Sequence, residues 1–144
     1  GLDQLHVGTV TGKMHGEKDE VLAVRDECVL KHVKENYKLN VLEQDWGNIK
    51  PLFPVASGGL QPTMIPELVR IFGKDIIMQF GGGIHAHPMG TKAGAMACRQ
   101  ALDATLKGVS LSEATKTNKE LKAAIDKWGS YEKLHPTHSH AAGD

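Results

Sequence analysis

Apolar positions fall into short runs that end in glycine or polar clusters, and these alternate with longer segments of helical spacing. Leu5 to Val10 is a β-type run broken by Thr11-Gly12-Lys13-Met14-His15-Gly16. Val21, Val24, Cys28 and His32 then line one stripe, with Leu22, Val29 and Val33 beside it, which predicts a helix from Lys18 to Asn36. Asn40 to Asp45 reads as a short extra strand and Leu52 to Ala56 as the second main strand. Pro54 belongs near the start of that strand, where a missing N–H is tolerated. The next helix is expected over Thr63 to Phe72, with Thr63 as N-cap, Pro66 in the first turn and Gly73 as a left-handed stop. Ile76 to Phe80 is the third main strand. An alanine-rich helix, Thr91 to Lys107, closes at Gly108, and its small side chains would let it pack near the preceding glycine loop. Ser110-x-x-Glu113 and Thr117-x-x-Glu120 are successive capping boxes, predicting two short helices or one kinked helix up to Trp128. From Gly129 the apolar period stops, so residues 130–144 are expected to form a loose tail behind a folded unit of residues 1–129.

Strand, helix, strand, helix, strand, helix predicts an α/β fold with a parallel sheet and right-handed crossovers. A closed β/α barrel needs eight strands and typically about 250 residues. Three units therefore predict an incomplete barrel with two exposed sheet edges and an uncovered inner face, leaving Val7, Val55 and Ile77 to meet water and the chain marginally stable by itself. Two of the predicted strands end in glycines, in Pro54-Val55-Ala56-Ser57-Gly58-Gly59 and in Ile76-Ile77-Met78-Gln79-Phe80-Gly81-Gly82-Gly83. Glycines there let the backbone approach a ligand and point loop and helix N–H groups at an anion. Their competing role is that of plain turns.

Composition narrows the class. The chain has 144 residues, 40% of them hydrophobic, a formal net charge of zero, and no apolar run of membrane-spanning length, which reads as soluble and globular. A pI near 7.3 with interleaved charges offers no basic stripe for nucleic acid. Cys28 and Cys98 belong to no Cys-x-x-Cys pair, so two free thiols in a reducing cytoplasm are expected. There is no visible signal peptide, and the start at Gly1, inside a strand-like run, suggests a segment upstream.

The stretch Gly1-Leu2-Asp3-Gln4-Leu5-His6-Val7-Gly8-Thr9-Val10-Thr11-Gly12-Lys13-Met14-His15-Gly16-Glu17 resembles the strand and flexible loop of the sixth β/α unit in the large subunit of ribulose-1,5-bisphosphate carboxylase/oxygenase (RuBisCO). Pro54 to Gly59, then Gln79-Phe80-Gly81-Gly82-Gly83 followed by His87-Pro88 and Gly90, are similar to that family's seventh and eighth units at the right spacing. The resemblance runs from Gly1 to Lys107. Asp3-Gln4-Leu5-His6, Lys50-Pro51-Leu52-Phe53 and Gly90-Thr91-Lys92-Ala93-Gly94 look more like the archaeal-type form III than the plant type.

The resemblance implies the last three units of a TIM (β/α)8 barrel followed by C-terminal helices, and a role in carbon dioxide fixation on ribulose-1,5-bisphosphate, with CO2 and O2 as the competing gases. His6 matches the histidine that contacts one phosphate. Lys13 matches the loop lysine that stabilises the carboxylate formed when carbon dioxide adds to the enediol. Ser57, Gly58 and Gly59 match the groups that hold sugar hydroxyls and phosphate, and Gln79, Phe80, Gly81 and Gly82 match the loop that takes the other phosphate. A cation on a glycine-flanked loop also suits closure over a developing carboxylate, with Gly12 and Gly16 as hinges. The complete enzyme is expected to use Mg2+, to form a homodimer or higher homo-oligomer, and to be cytoplasmic, with no nucleic-acid or membrane partner. The family's magnesium unit is a carbamylated lysine beside an aspartate and a glutamate. No Lys-x-Asp-Glu run occurs here, and Lys18-Asp19-Glu20 lies in a helix's first turn, so no metal ligands are assigned and the isolated chain is expected to be inactive.

Eight histidines do not change that reading. His85 and His87 read as loop polar groups, His135, His138 and His140 as parts of the tail, His15 as a solvent-facing loop residue, and Trp46 and Trp128 as packing anchors. Two other functions compete: a RuBisCO-like isomerase or enolase of sulfur salvage, disfavoured by Lys13, and a non-catalytic half-barrel that binds phosphorylated ligands.

Overall fold

The computed structural model describes residues 2–9 and 18–130. The elements run β1 (Gln4–Gly8), α1 (Lys18–Val29), β2 (His32–Val33), β3 (Gln44–Asp45), β4 (Phe53–Ser57), α2 (Ile65–Phe72), β5 (Ile77–Gln79), α3 (Gly81–His85), α4 (Thr91–Leu106), α5 (Leu111–Ala114) and α6 (Lys119–Trp128). β1, β4 and β5 form a parallel sheet in that order, and β2 pairs antiparallel with β3. The three main strands are thus the expected ones, with their carboxyl ends on one edge.

Register sorts the two faces. Ala56 pairs with Met78 on the side covered by helices, whereas His6, Val55 and Ile77 align on the opposite side. The core lies under the helices. α2 buries Ile65, Leu68 and Phe72, and α4 turns an alanine stripe, Ala93, Ala97, Ala101 and Ala104, inward. Small side chains on α4 let α6 approach closely with Leu121 and Ala124. Pro54 sits second in the central strand. Phe53 N donates toward β1, to the Asp3 carbonyl, so alternation aims the Pro54 nitrogen at the β5 side, where pairing starts only at Val55–Ile77.

Several expectations are corrected. α1 stops at Val29 rather than Asn36, because the Cys28 carbonyl accepts from Leu52 N at 2.8 Å and the Lys31 carbonyl from Trp46 N at 2.8 Å. His32 and Val33 therefore leave the helical stripe for a short strand, and the extra strand expected at Asn40 to Asp45 narrows to Gln44–Asp45, with a bridge between Asn36 and Val41. Thr63 does not cap α2; it is buried in a 3-10 turn, Pro62–Met64, that leads into the helix. The Ser110 cap is real, its hydroxyl accepting from Glu113 N at 3.2 Å. The Thr117 box is not, since α6 begins after Asn118 and Thr117 Oγ1 donates back to the Ala114 carbonyl. Val7 and Val55 are buried, against the expectation that they would meet water: Val7 joins the core with Val21 and Cys28, and Val55 is 5% exposed in the central strand. The expected tail, apart from Ser130, lies outside the described residues.

Candidate phosphate-binding edge

The carboxyl ends of β4 and β5 lie side by side, with Ser57 in register with Gln79. After Ser57 the chain turns through Gly58 at φ 113° and Gly59 at φ 69°, conformations that side chains rarely adopt. It then buries Leu60 and enters the Pro62–Met64 turn. After Gln79, the triple glycine is not a loop but the body of the short helix α3. Ile84 N donates to the Phe80 carbonyl at 2.9 Å, so the amides of Gly81, Gly82 and Gly83 come before that first helical bond.

Backbone contact locks the two glycine clusters together. A Cβ on Gly83 would lie 2.2 Å from the Leu60 carbonyl oxygen, so only glycine allows α3 to rest on the end of the Gly58-Gly59 turn. One layer out, a Cβ on Gly94 would lie 2.2 Å from the Ile84 carbonyl oxygen, which is how the small residues of α4 come up against α3, as expected. The Phe80 side chain belongs to the core, so it reaches the edge only through its backbone.

His6 stands on the neighbouring strand, with its side chain exposed. A register shift between His6 and Gly8 leaves Val7 unpaired, a bulge that re-aims the end of β1. Gly8 N donates to His6 Nδ1 at 3.3 Å, so the neutral ring carries its proton on Nε2, a donor of the kind an anion accepts. Lys13, with Gly12, His15 and Gly16, lies outside the described residues.

The sequence reading missed what stands behind this edge. His87 is 4% exposed and saturated: Nε2 donates to the Glu120 carbonyl at 3.0 Å, and Nδ1 accepts from Met89 N at 3.1 Å. Its ring meets Trp128 edge-on at 6.1 Å between centroids. Gln100 spans the same helix, donating to Glu120 Oε2 at 2.8 Å and accepting from Leu121 N at 3.0 Å. The Gln100 amide, ahead of Glu120's own backbone N–H and the charge of Lys119, holds the Glu120 carboxyl below its ordinary value. Nothing in local spacing signals a partnership across 33 residues. His85 faces Thr91 Oγ1 at 3.2 Å, and among the described residues no group of three or more His, Cys, Asp or Glu could hold a metal ion. An apolar cavity of about 270 Å3 between Leu30, Trp46, Ile49 and Leu52 opens at the other end of the strands, away from this edge.

Parallel strands with glycine clusters at their carboxyl ends, adjoining helix starts and a histidine donor one strand away make an α/β edge of the kind that can take an anion. Residues 1–128 match the family model of the ribulose bisphosphate carboxylase large chain, catalytic domain, and the chain belongs to that family. It is 72% identical over 128 residues to ribulose bisphosphate carboxylase of Methanosarcina barkeri, covering 89% of this chain and 30% of that protein. The corresponding enzyme of Methanosarcina acetivorans is 70% identical over the same length. Among solved structures, dimeric archaeal Rubisco of Hyperthermus butylicus aligns with a TM-score of 0.77 at 47% identity, over 90% of this chain and 30% of the other. Octameric Rubisco of Pyrococcus horikoshii aligns with a TM-score of 0.74 at 43% identity, over 88% and 27%. The chain thus spans about 30% of the length of the archaeal relatives it matches. No helix among the described residues is long and apolar enough to cross a membrane.

Proposed function

We propose that this chain forms the sixth to eighth β/α units of a RuBisCO large chain and there binds the phosphates of ribulose-1,5-bisphosphate and stabilises the product of carbon dioxide addition. The observation behind the proposal is the contact of Gly83 with the Leu60 backbone, which sets two glycine clusters next to each other at the carboxyl edge of a parallel sheet. Amides of Gly58, Gly59, Gly81 and Gly82, with Ser57 and Gln79, take phosphate and sugar oxygens. His6 Nε2–H donates to a phosphate oxygen. Lys13 closes over the reacting carbon and meets the carboxylate that forms when CO2 adds to the enediol; O2 competes for the same carbon. Charge placed where charge develops lowers that barrier without strengthening ground-state binding.

The described residues do not fit the family's Mg2+ ion, having no cluster of three donors, and no step here is assigned to it. In the complete enzyme other parts of the large chain hold that ion, so this chain alone does not carboxylate. A homo-oligomeric, cytoplasmic enzyme is the matching context. The sulfur-salvage reading is not favoured, since the relatives above are named carboxylases and Lys13 is kept.

The test is a chimera in which residues 1–128 replace the matching segment of the M. barkeri enzyme. It should carboxylate ribulose bisphosphate, and Lys13→Met within it should lower carboxylation on the order of a hundred- to a thousandfold while substrate enolisation, followed by proton exchange, persists. Equal loss of both partial reactions, or a folded chimera without activity, would overturn the assignment.

A further inference from the structure

α6 touches the segments that follow both glycine clusters. It packs against the Pro62–Met64 turn, which follows the Gly58-Gly59 segment. It also grips the corner after α3 at three points: the Glu120 carbonyl takes His87 Nε2–H, Lys127 Nζ donates to the Ala86 carbonyl, and the Trp128 ring packs on the His87 ring. α3 has little to hold it by itself. It is five residues long and three of them are glycine, the poorest helix former after proline. Its geometry is therefore imposed from outside.

We infer that His87 is a positioning residue for the phosphate edge: its Nε2–H bond to the Glu120 carbonyl fastens α3 to α6, so that one helix holds both glycine clusters in place. His87 is buried with both ring nitrogens engaged by protein groups, so it acts through the amides of Gly81 and Gly82 rather than on a ligand directly. Gln100 completes the arrangement, fixing the first turn of α6 through Glu120 Oε2 and Leu121 N and so fixing the carbonyl that His87 uses. The inference rests on the proposed phosphate role of the glycine edge for its consequence, but the fastening itself can be read separately.

Two substitutions divide the ring's two bonds. In His87→Asn the amide oxygen replaces Nδ1 as acceptor for Met89 N and the bond to α6 is lost. In His87→Gln the amide nitrogen reaches the Nε2 position and restores the donor to Glu120. The 144-residue chain is followed by amide hydrogen exchange and by titration with inorganic phosphate, observed at the Gly58, Gly59, Gly81 and Gly82 amides. In His87→Asn, exchange at Ile84 and Ala86 should quicken about five- to tenfold while the interior of α4 stays protected, and phosphate affinity should fall by a similar factor. His87→Gln should remain near the starting protein in both. Unchanged exchange in His87→Asn, or equal losses in Asn and Gln, would overturn the inference. Absence of phosphate shifts in the unsubstituted chain would overturn the phosphate reading alone, and the exchange contrast between Asn and Gln would still decide the fastening.

Discussion

Gly83→Ala tests the contact that sets the two glycine clusters side by side. The added Cβ would lie 2.2 Å from the Leu60 carbonyl oxygen, 3.1 Å from Gln61 Cα and 3.2 Å from the Leu60 carbonyl carbon. A relaxed carbon-to-oxygen approach is about 3.3 Å or more, so roughly 1 Å must open between two backbone segments, neither of which can rotate a side chain away. Overpacking of a filled interior costs about 1–3 kcal/mol, and the rigidity of both partners argues for the upper part of that range. The helical setting opposes it, because alanine in place of glycine gains up to about 1 kcal/mol where there is room. The net expectation is a loss of about 1–2 kcal/mol, a fall of roughly 1 M in the urea midpoint for a slope of 1–3 kcal/mol/M. Gly82→Ala is the internal standard, since its Cβ would meet nothing within 4 Å and it should keep or gain stability. Urea unfolding followed by far-UV circular dichroism gives both numbers. If Gly83→Ala is as stable as the unsubstituted chain, or if Gly82→Ala loses as much, the close approach does not hold the edge together.

Ser110→Ala should cost about 1 kcal/mol in the same assay through loss of the cap on Glu113 N, while Thr117→Ala, at an exposed hydroxyl that caps no helix, should stay within about 0.5 kcal/mol. Burial pushes the Cys98 thiol from 9.0 up to about 11, so at pH 8 its thiolate is about a hundredfold scarcer than in the unfolded chain. Iodoacetamide should label Cys98 correspondingly slowly until urea is added, with the native rate still rising toward pH 11, and equal rates in native and unfolded chain would contradict its burial.

What was legible in the sequence is what depends on near neighbours. The spacing of Ile65, Leu68 and Phe72 and the alanine stripe of α4 mark helix faces, and Gly73 and Gly108 mark their ends with positive φ. What was not legible depends on distant donors and on close packing. α1 carries an apolar stripe past Val29, yet Leu52 N and Trp46 N take the carbonyls of Cys28 and Lys31, and no local pattern records that competition. Thr63 and Thr117 have the residue type of a cap, but burial takes one and a back-bond to Ala114 the other. α3 runs against propensity. Three consecutive glycines read as a loop, and the helix there rests on contact with Leu60 on one side and Gly94 on the other, with α6 holding the corner that follows. The candidate site was therefore legible as a set of positions, whereas its support, from Gly83 to His87 and Glu120, was not.

The distribution of exposure along the strands explains why an open sheet keeps its glycine edge ordered. At the amino ends Leu2, Leu5, Ile49 and Phe53 all face solvent. At the carboxyl ends Thr9, Leu60, Phe80 and His87 are buried; α3 and the Pro62–Met64 turn rest on α4, and α6 packs on that turn and on the corner after α3. The expectation that Val7 would meet water failed for the same reason: the helix side of the sheet is complete, and Val7 turns toward it. Preorganised donors work only if their supports are rigid before the ligand arrives. For the amides after β4 and β5 those supports lie within residues 60–128. His6 differs, standing on β1, which among the described residues pairs only with β4, held at Nδ1 by Gly8 and otherwise exposed. The glycine half of the candidate site is thus backed by helices of this chain, whereas the histidine half stands on an outer strand and is held by a single hydrogen bond from Gly8.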